Sequence, residues 1–209
     1  MLATSPDVFE KAAGKAAHGM KLSSGGFFDF KKTHGGEPGF ADVAHHLALI
    51  TRFAGATHTP YSVAQHSVIV SDHLLTQFAS AEFALAGLLR DAGEAVTGHI
   101  PHPIKIALGE TARMRIDVIE RAVIAHLYQT LSLPTPGAAT WQAVKVADMR
   151  AFATEWRDLT AEGAADAYAP VNIKPLPRPI RPVPWDKAEE MFWDRLRRLT
   201  AALGVAVPL

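Results

Sequence analysis

Along the 209-residue chain, apolar positions recur at three- and four-residue spacing in six stretches and nowhere at a convincing two-residue spacing, the pattern of amphipathic helices. From Asp42, a residue type suited to an N-cap, Val43, His46, Leu47 and Ile50 predict a first short helix that ends near Gly55. Ser62-Val63-Ala64-Gln65 has the form of a capping box, in which each side chain satisfies an orphan backbone donor, and it opens a helix to about Phe78. Leu85, Leu88, Leu89 and Ala92 form the stripe of a third helix over 81–96, stopped by Gly98 and Pro101. Long helices follow over 111–131, on Ile116, Ile119, Val123, Ile124 and Leu127, and over 139–160, on Trp141, Val144, Ala151 and Phe152. A last helix starts at Trp185 and runs through Leu199.

Between these stretches the chain is punctuated. Gly25-Gly26, Gly35-Gly36 and Pro38-Gly39 surround Phe27-Phe28-Asp29-Phe30, which predicts an irregular N-terminal arm over residues 1–40. Gly98-His99-Ile100-Pro101-His102-Pro103 predicts a rigid loop. Six prolines within residues 169–184 exclude an interior helix and favour extended chain lying over a surface. The expectation is a single compact all-α domain: a helical body over 41–165, with a Pro-rich strap and C-terminal helix over 166–209 packing on it.

Composition narrows the chemistry. Lys plus Arg and Asp plus Glu each number 21, so no global field attracts a nucleic-acid polymer or an anionic membrane. There is no cysteine, so disulfides, thiolate nucleophiles and thiolate metal ligands are excluded, and any metal must use His, Asp or Glu. Residues 1–21 lack the charged-then-apolar order of a signal peptide, and the uncharged run 122–144 is interrupted by Pro134, Pro136 and Gly137. No membrane span and a cytoplasmic location are therefore expected.

Three features carry possible chemistry. Asp148, four residues from both Val144 and Phe152, puts a carboxylate on an apolar stripe, where it requires a cation or several donors. Arg90, Asp91 and Glu94 gather at the end of an otherwise apolar helix, and His66 lies just inside a capped one. Singly, each has an ordinary reading: a structural salt bridge for Asp148, a hydrogen-bonded core histidine for His66, and an exposed helix pair for Arg90 with Glu94.

Their order along the chain is more specific. Tyr61-Ser62-Val63-Ala64-Gln65-His66-Ser67, then Leu88-Leu89-Arg90-Asp91-Ala92-Gly93-Glu94-Ala95, then Gly98-His99-Ile100-Pro101-His102-Pro103-Ile104-Lys105, then Val146-Ala147-Asp148 resembles the HD-domain phosphohydrolases, in their 5′-deoxynucleotidase-like branch. The resemblance spans about Asp42 to Asp158. It implies a helical domain in which His66, Asp91 and Asp148 hold a divalent metal, Glu94 handles the attacking water together with Asp91, and Arg52 reaches a substrate phosphate, with His99 and Lys105 also facing the substrate. The implied substrate is a nucleotide, a (deoxy)nucleoside monophosphate above all. His45-His46 resembles a family segment that places one histidine near the substrate mouth.

Two departures lie at the centre of that site. Arg90 stands where the family has the histidine of its His-Asp pair, and a guanidinium has no lone pair to give a metal. His99 stands where this branch has an aspartate that contacts the sugar, and Gln65 replaces a glutamate as a lesser change. Either Arg90 points inward and neutralises the carboxylates without a metal, leaving a non-catalytic protein that binds a nucleotide or a partner, or it swings out. In the second case an oxygen-rich site remains that favours manganese, magnesium or cobalt over zinc. Trp141, Trp156, Trp185 and Trp193 supply apolar area for a homodimer.

Overall fold

The computed structural model describes residues 14, 18–31, 37–162 and 172–208; Gly35-Gly36 and the first part of the Pro-rich stretch lie outside the described residues. Strands β1 (Gly19–Lys21) and β2 (Phe27–Asp29) pair antiparallel, with Met20 opposite Phe28. Helices follow in the order α1 (Phe40–Leu49), α2 (Val63–Phe78), α3 (Ala81–Leu89), α4 (Glu94–Thr97), α5 (His102–Ala107), α6 (Glu110–Thr130), α7 (Ala138–Leu159) and α8 (Trp185–Ala202). The fold is all-α, as the periodicity predicts.

Helix α2 is central and packs against α1, α3, α7 and α8. The contact with α3 is close because Gly87 faces it: a Cβ there would meet Leu74 Cδ1 at 2.5 Å. The main core is built from the apolar stripes of α1 to α3, the second half of α6, and Phe192 and Leu196 of α8. The strap beyond Lys174 buries Leu176 and Ile180, and its backbone is tied down by side chains. Thr154 accepts from the Leu176 amide at 2.7 Å, Asp158 from the Ile180 amide at 2.8 Å, and Gln65 grips both Arg181 O and the Val183 amide.

The structure corrects six expectations. Residues 18–31 of the arm form a hairpin, because Asp42 accepts from Ser23 Oγ, Ser24 Oγ and the Ser24 amide and so pins the loop between the strands. Asp42 is therefore not the N-cap of α1; Gly39 is, and Asp42 sits within the first turn, accepting from the Gly39 amide. Ser62 does cap α2, accepting from the Gln65 amide at 3.2 Å, but the Gln65 side chain goes to the strap instead of closing the box. The helix expected over 81–96 breaks after Leu89, and the loop expected over 98–103 gives way to α5 from His102. Of the four tryptophans, Trp141, Trp156 and Trp193 are mostly covered, and only Trp185 is about half exposed.

The break after α3 lies at a close contact with α6. Gly93 lies against α6 so closely that a Cβ on it would stand 2.3 Å from Glu120 Cα. Arg90 and Gly93 keep helical dihedrals, but the hydrogen bonds here run to the third residue back, Ala92 N to Leu89 O and Glu94 N to Asp91 O, so the helix tightens at residues 90–93 before resuming as α4.

Candidate metal and ion-pair centre

Four elements deliver the site. His66 comes from the first turns of α2, Asp91 and Arg90 from the turn after α3, Asp148 and Glu155 from α7, and Arg52 from the segment before α2. Arg52 is held by an isolated bridge of its neighbour Thr51 to Ser62 and by its own amide, which donates to Tyr61 O at 2.9 Å. Its successors Phe53 and Ala54 both adopt left-handed φ, of 57° and 50°, a costly conformation for residues with a Cβ. The Phe53 ring stacks on Phe152 at 5.7 Å, one turn beyond Asp148.

His66 is fully buried, and both ring nitrogens face carboxylates: Nδ1 lies 2.5 Å from Glu155 Oε1, and Nε2 lies 3.0 Å from Asp148 Oδ1 and 3.5 Å from Asp91 Oδ2. Two acceptors on one imidazole require two N–H groups, which is the imidazolium form. Burial and the Arg52 charge both oppose that proton, yet Glu155 and Asp148 outweigh them and lift the His66 pKa to about 9. Glu155, wholly buried, also accepts from Arg52 Nε and Nη2 at 3.1 and 2.9 Å and from the Tyr61 hydroxyl at 3.0 Å. Burial pushes its carboxyl up, but Arg52 and His66 pull it down to about 2.

Arg90 points inward. Its guanidinium donates through Nη1 to Asp91 Oδ1 and pairs through Nη2 with Asp148 Oδ2 at 3.0 Å. Burial opposes ionised Asp148, but Arg90 and then His66 hold it well below the ordinary carboxylate range. The pairing of Arg90 with Glu94 expected for a helix surface is replaced by these two contacts. Glu94 instead lies 3.0 Å from His99 Nδ1, and burial together with the Asp91 charge raises its pKa.

His66, Asp91 and Asp148 each bring one ligand atom to within 4.8 Å of the others, and this group could hold a metal ion. The donor set, one imidazole and two carboxylates, suits a divalent cation in kind. Its charge is already met from within the protein: Arg52, His66 and Arg90 stand against Asp91, Asp148 and Glu155. Among the other expected site residues, Lys105 is engaged by Glu120, donating to both of its oxygens at 3.1 Å. His46 Nδ1 contacts Ala95 O, beside Glu94, at 2.8 Å, and His45 meets Glu189. Glu155 is a member of this group that the sequence motifs did not single out. The signal was present: Glu155 falls seven residues after Asp148, on the same face of one helix.

Fold and site together define a helical protein with a buried histidine–carboxylate group capable of holding a metal ion. No family model matches the chain. It is 38% identical over 140 residues to the uncharacterized protein YfdR of Escherichia coli (strain K12), which covers 67% of this chain and 71% of YfdR. It is 32% identical over 157 residues to the uncharacterized protein RCAP_rcc00048 of Rhodobacter capsulatus, covering 68% of this chain and 76% of that protein. The chain belongs to the family of YfdR.

Proposed function

We propose that this protein is an HD-type phosphohydrolase of nucleotides, directed at a (deoxy)nucleoside monophosphate, whose metal site is held shut by Arg90. The observation that carries the reading is the convergence of His66, Asp91 and Asp148 from three separate elements, with Glu94 on the adjoining short helix. A divalent ion bound there, manganese, magnesium or cobalt ahead of zinc, supplies positive charge to a phosphoryl group and a water acidic enough to attack it. Glu94 is the residue suited to take the proton from that water, since a raised pKa brings a carboxylate nearer to neutral pH. His99 orients Glu94 by its hydrogen bond. Arg52 has to loosen from Glu155 before it can bind phosphate, and Lys105 from Glu120.

A second reading is favoured by the two ion pairs of Arg90. In it the guanidinium permanently replaces the cation, and the protein binds a nucleotide or a protein partner without hydrolysing it. The Arg90→His variant separates the two. If the site is a suppressed phosphohydrolase, the variant melts at higher temperature with micromolar manganese and hydrolyses deoxyadenosine 5′-monophosphate, while the native protein does so weakly or only at millimolar metal. A folded Arg90→His protein that neither takes up manganese nor cleaves the nucleotide overturns the phosphohydrolase reading.

A further inference from the structure

Helix α7 turns Asp148 and Glu155 toward the buried centre, and it also borders an open groove. The groove has two parts that meet at Gln142 and Val146, about 640 Å³ where α7 faces the strap and about 360 Å³ where it faces the end of α2 and the start of α3. None of His66, Arg90, Asp91, Glu94, Asp148 and Glu155 lines either part. Along α7 the lining runs from Ala139 to Arg150, a helical rise of about 16 Å, so a ligand that fills the groove is elongated.

The two ends differ in chemistry. At one, Lys145, Arg150 and Lys174 bring three formal positive charges, and among the described residues no Asp or Glu lines the groove. Lys145 and Lys174 are exposed and form no ion pair among the described residues. Arg150 is held by uncharged groups: Nε donates to Lys174 O at 3.0 Å and Nη1 to His73 Nε2 at 3.2 Å, while Nη2 has no partner among the described residues. Burial and then the Arg150 charge lower the His73 pKa, which keeps the ring neutral and able to accept that bond. A guanidinium positioned by neutral partners keeps its charge for an anion. At the other end Phe78 and Phe83 stack, with centroids 4.6 Å apart, beside Ala139 and Ala143, and Phe78 is 42% exposed. An open aromatic face next to small side chains fits a flat ring.

We propose that this groove binds an organic phosphate whose other end is a flat aromatic ring, with the phosphate oxygens on Lys145, Arg150 and Lys174 and the ring against Phe78. Charge decides the first half. Three cations with no lining carboxylate complement a multiply charged anion, which a diphosphate is and a single carboxylate is not. Length decides the second, since inorganic phosphate covers only the cationic end and leaves the apolar floor at Val146 and Phe78 in water. Gln142, shared by both parts, supplies a neutral amide between the two ends. Because Lys174 belongs to the strap and Lys145 and Arg150 to α7, the bound phosphate ties the strap to the helix. The inference stands apart from the reading of the His66 centre, whose residues take no part in it.

Calorimetric titration with adenosine 5′-diphosphate, in chelator so that no metal bridges the probe to the His66 centre, tests it. The native chain is expected to bind the probe at micromolar concentration, and more weakly as salt rises. Changing Lys145→Glu together with Lys174→Glu is expected to weaken binding at least tenfold with unchanged circular dichroism, since both side chains are exposed. Phe78→Ala is expected to weaken the diphosphate several-fold and to leave inorganic pyrophosphate binding as it was. A native chain that takes up no adenosine 5′-diphosphate at millimolar concentration overturns the proposal. So does binding that the lysine variant leaves intact, which puts the ligand elsewhere, or pyrophosphate binding as tight as that of the nucleotide, which leaves the aromatic end empty.

Discussion

Glu155 is the residue on which the buried network turns, since it accepts from Arg52, Tyr61 and His66 together. Glu155→Gln leaves two buried cations facing a neutral amide. It is expected to cost about 3–5 kcal/mol, read from urea unfolding, the range for breaking a buried pair from one side. Arg90→Ala is expected to cost less, about 1–2 kcal/mol, because about a third of the Arg90 side chain reaches solvent, which screens its pairs. The network also sets a pH dependence. The folded His66 pKa of about 9 lies above the ordinary 6.5, so its ion pairs contribute in full below about pH 6.5 and are lost as pH rises through 9. The folded Glu155 pKa of about 2 lies below the ordinary 4.5, so its contribution is full above pH 4.5 and is lost as pH falls towards 2. The contribution of these two groups is greatest between pH 4.5 and 6.5. Unfolding free energy measured from pH 6.5 to 9.5 should decline in the native protein, and His66→Gln should flatten that slope; an equal slope in both removes His66 as its cause.

At the scale of elements, the turn at residues 90–93 and the strap decide where the side chains go. Gly93→Ala places a methyl group against the α6 backbone, a contact neither side can yield cheaply, and is expected to cost about 1–3 kcal/mol. Because that turn carries Asp91, the same variant should alter manganese uptake by the Arg90→His protein, measured by the metal-dependent melting shift. Gln65 joins α2 to the strap one residue before His66. In Gln65→Ala the Val183 amide and Arg181 carbonyl lose their partner, and amide exchange at Val183 should accelerate by at least tenfold relative to Ile180, which Asp158 still holds. Most of the elements themselves were legible in the sequence, because helices α1, α2, α6, α7 and α8 each carry a stripe of apolar residues. The break after Leu89 was not, since the apolar stripe runs on through Ala92 and only the hydrogen bonding changes, from the fourth residue back to the third. The hairpin was hidden as well: three residues per strand are too few to show a two-residue period, and Asp42 organises it from outside.

For the whole molecule, the balance of three formal positive against three negative charges at the centre predicts that the fold does not need a metal. Purified protein treated with chelator should keep its melting temperature, and a marked fall would show that a cation had displaced Arg90. Proton release is the companion signature. A metal binding at His66 must remove a proton from the imidazolium, so manganese affinity should rise with pH toward 9.

The helical class, five of the helices, the surface path of the proline-rich strap and the candidacy of His66, Asp91, Glu94 and Asp148 were written in the chain itself. These depend on local spacing, capping and residue type. The direction of Arg90, the role of Glu155 as the common acceptor, the diversion of Gln65 to the strap and the pairing of Lys105 with Glu120 were decided by tertiary structure alone. Each is a contact between charged or polar groups distant in sequence, and a buried charge takes whichever opposite partner the packing of the helices leaves within reach.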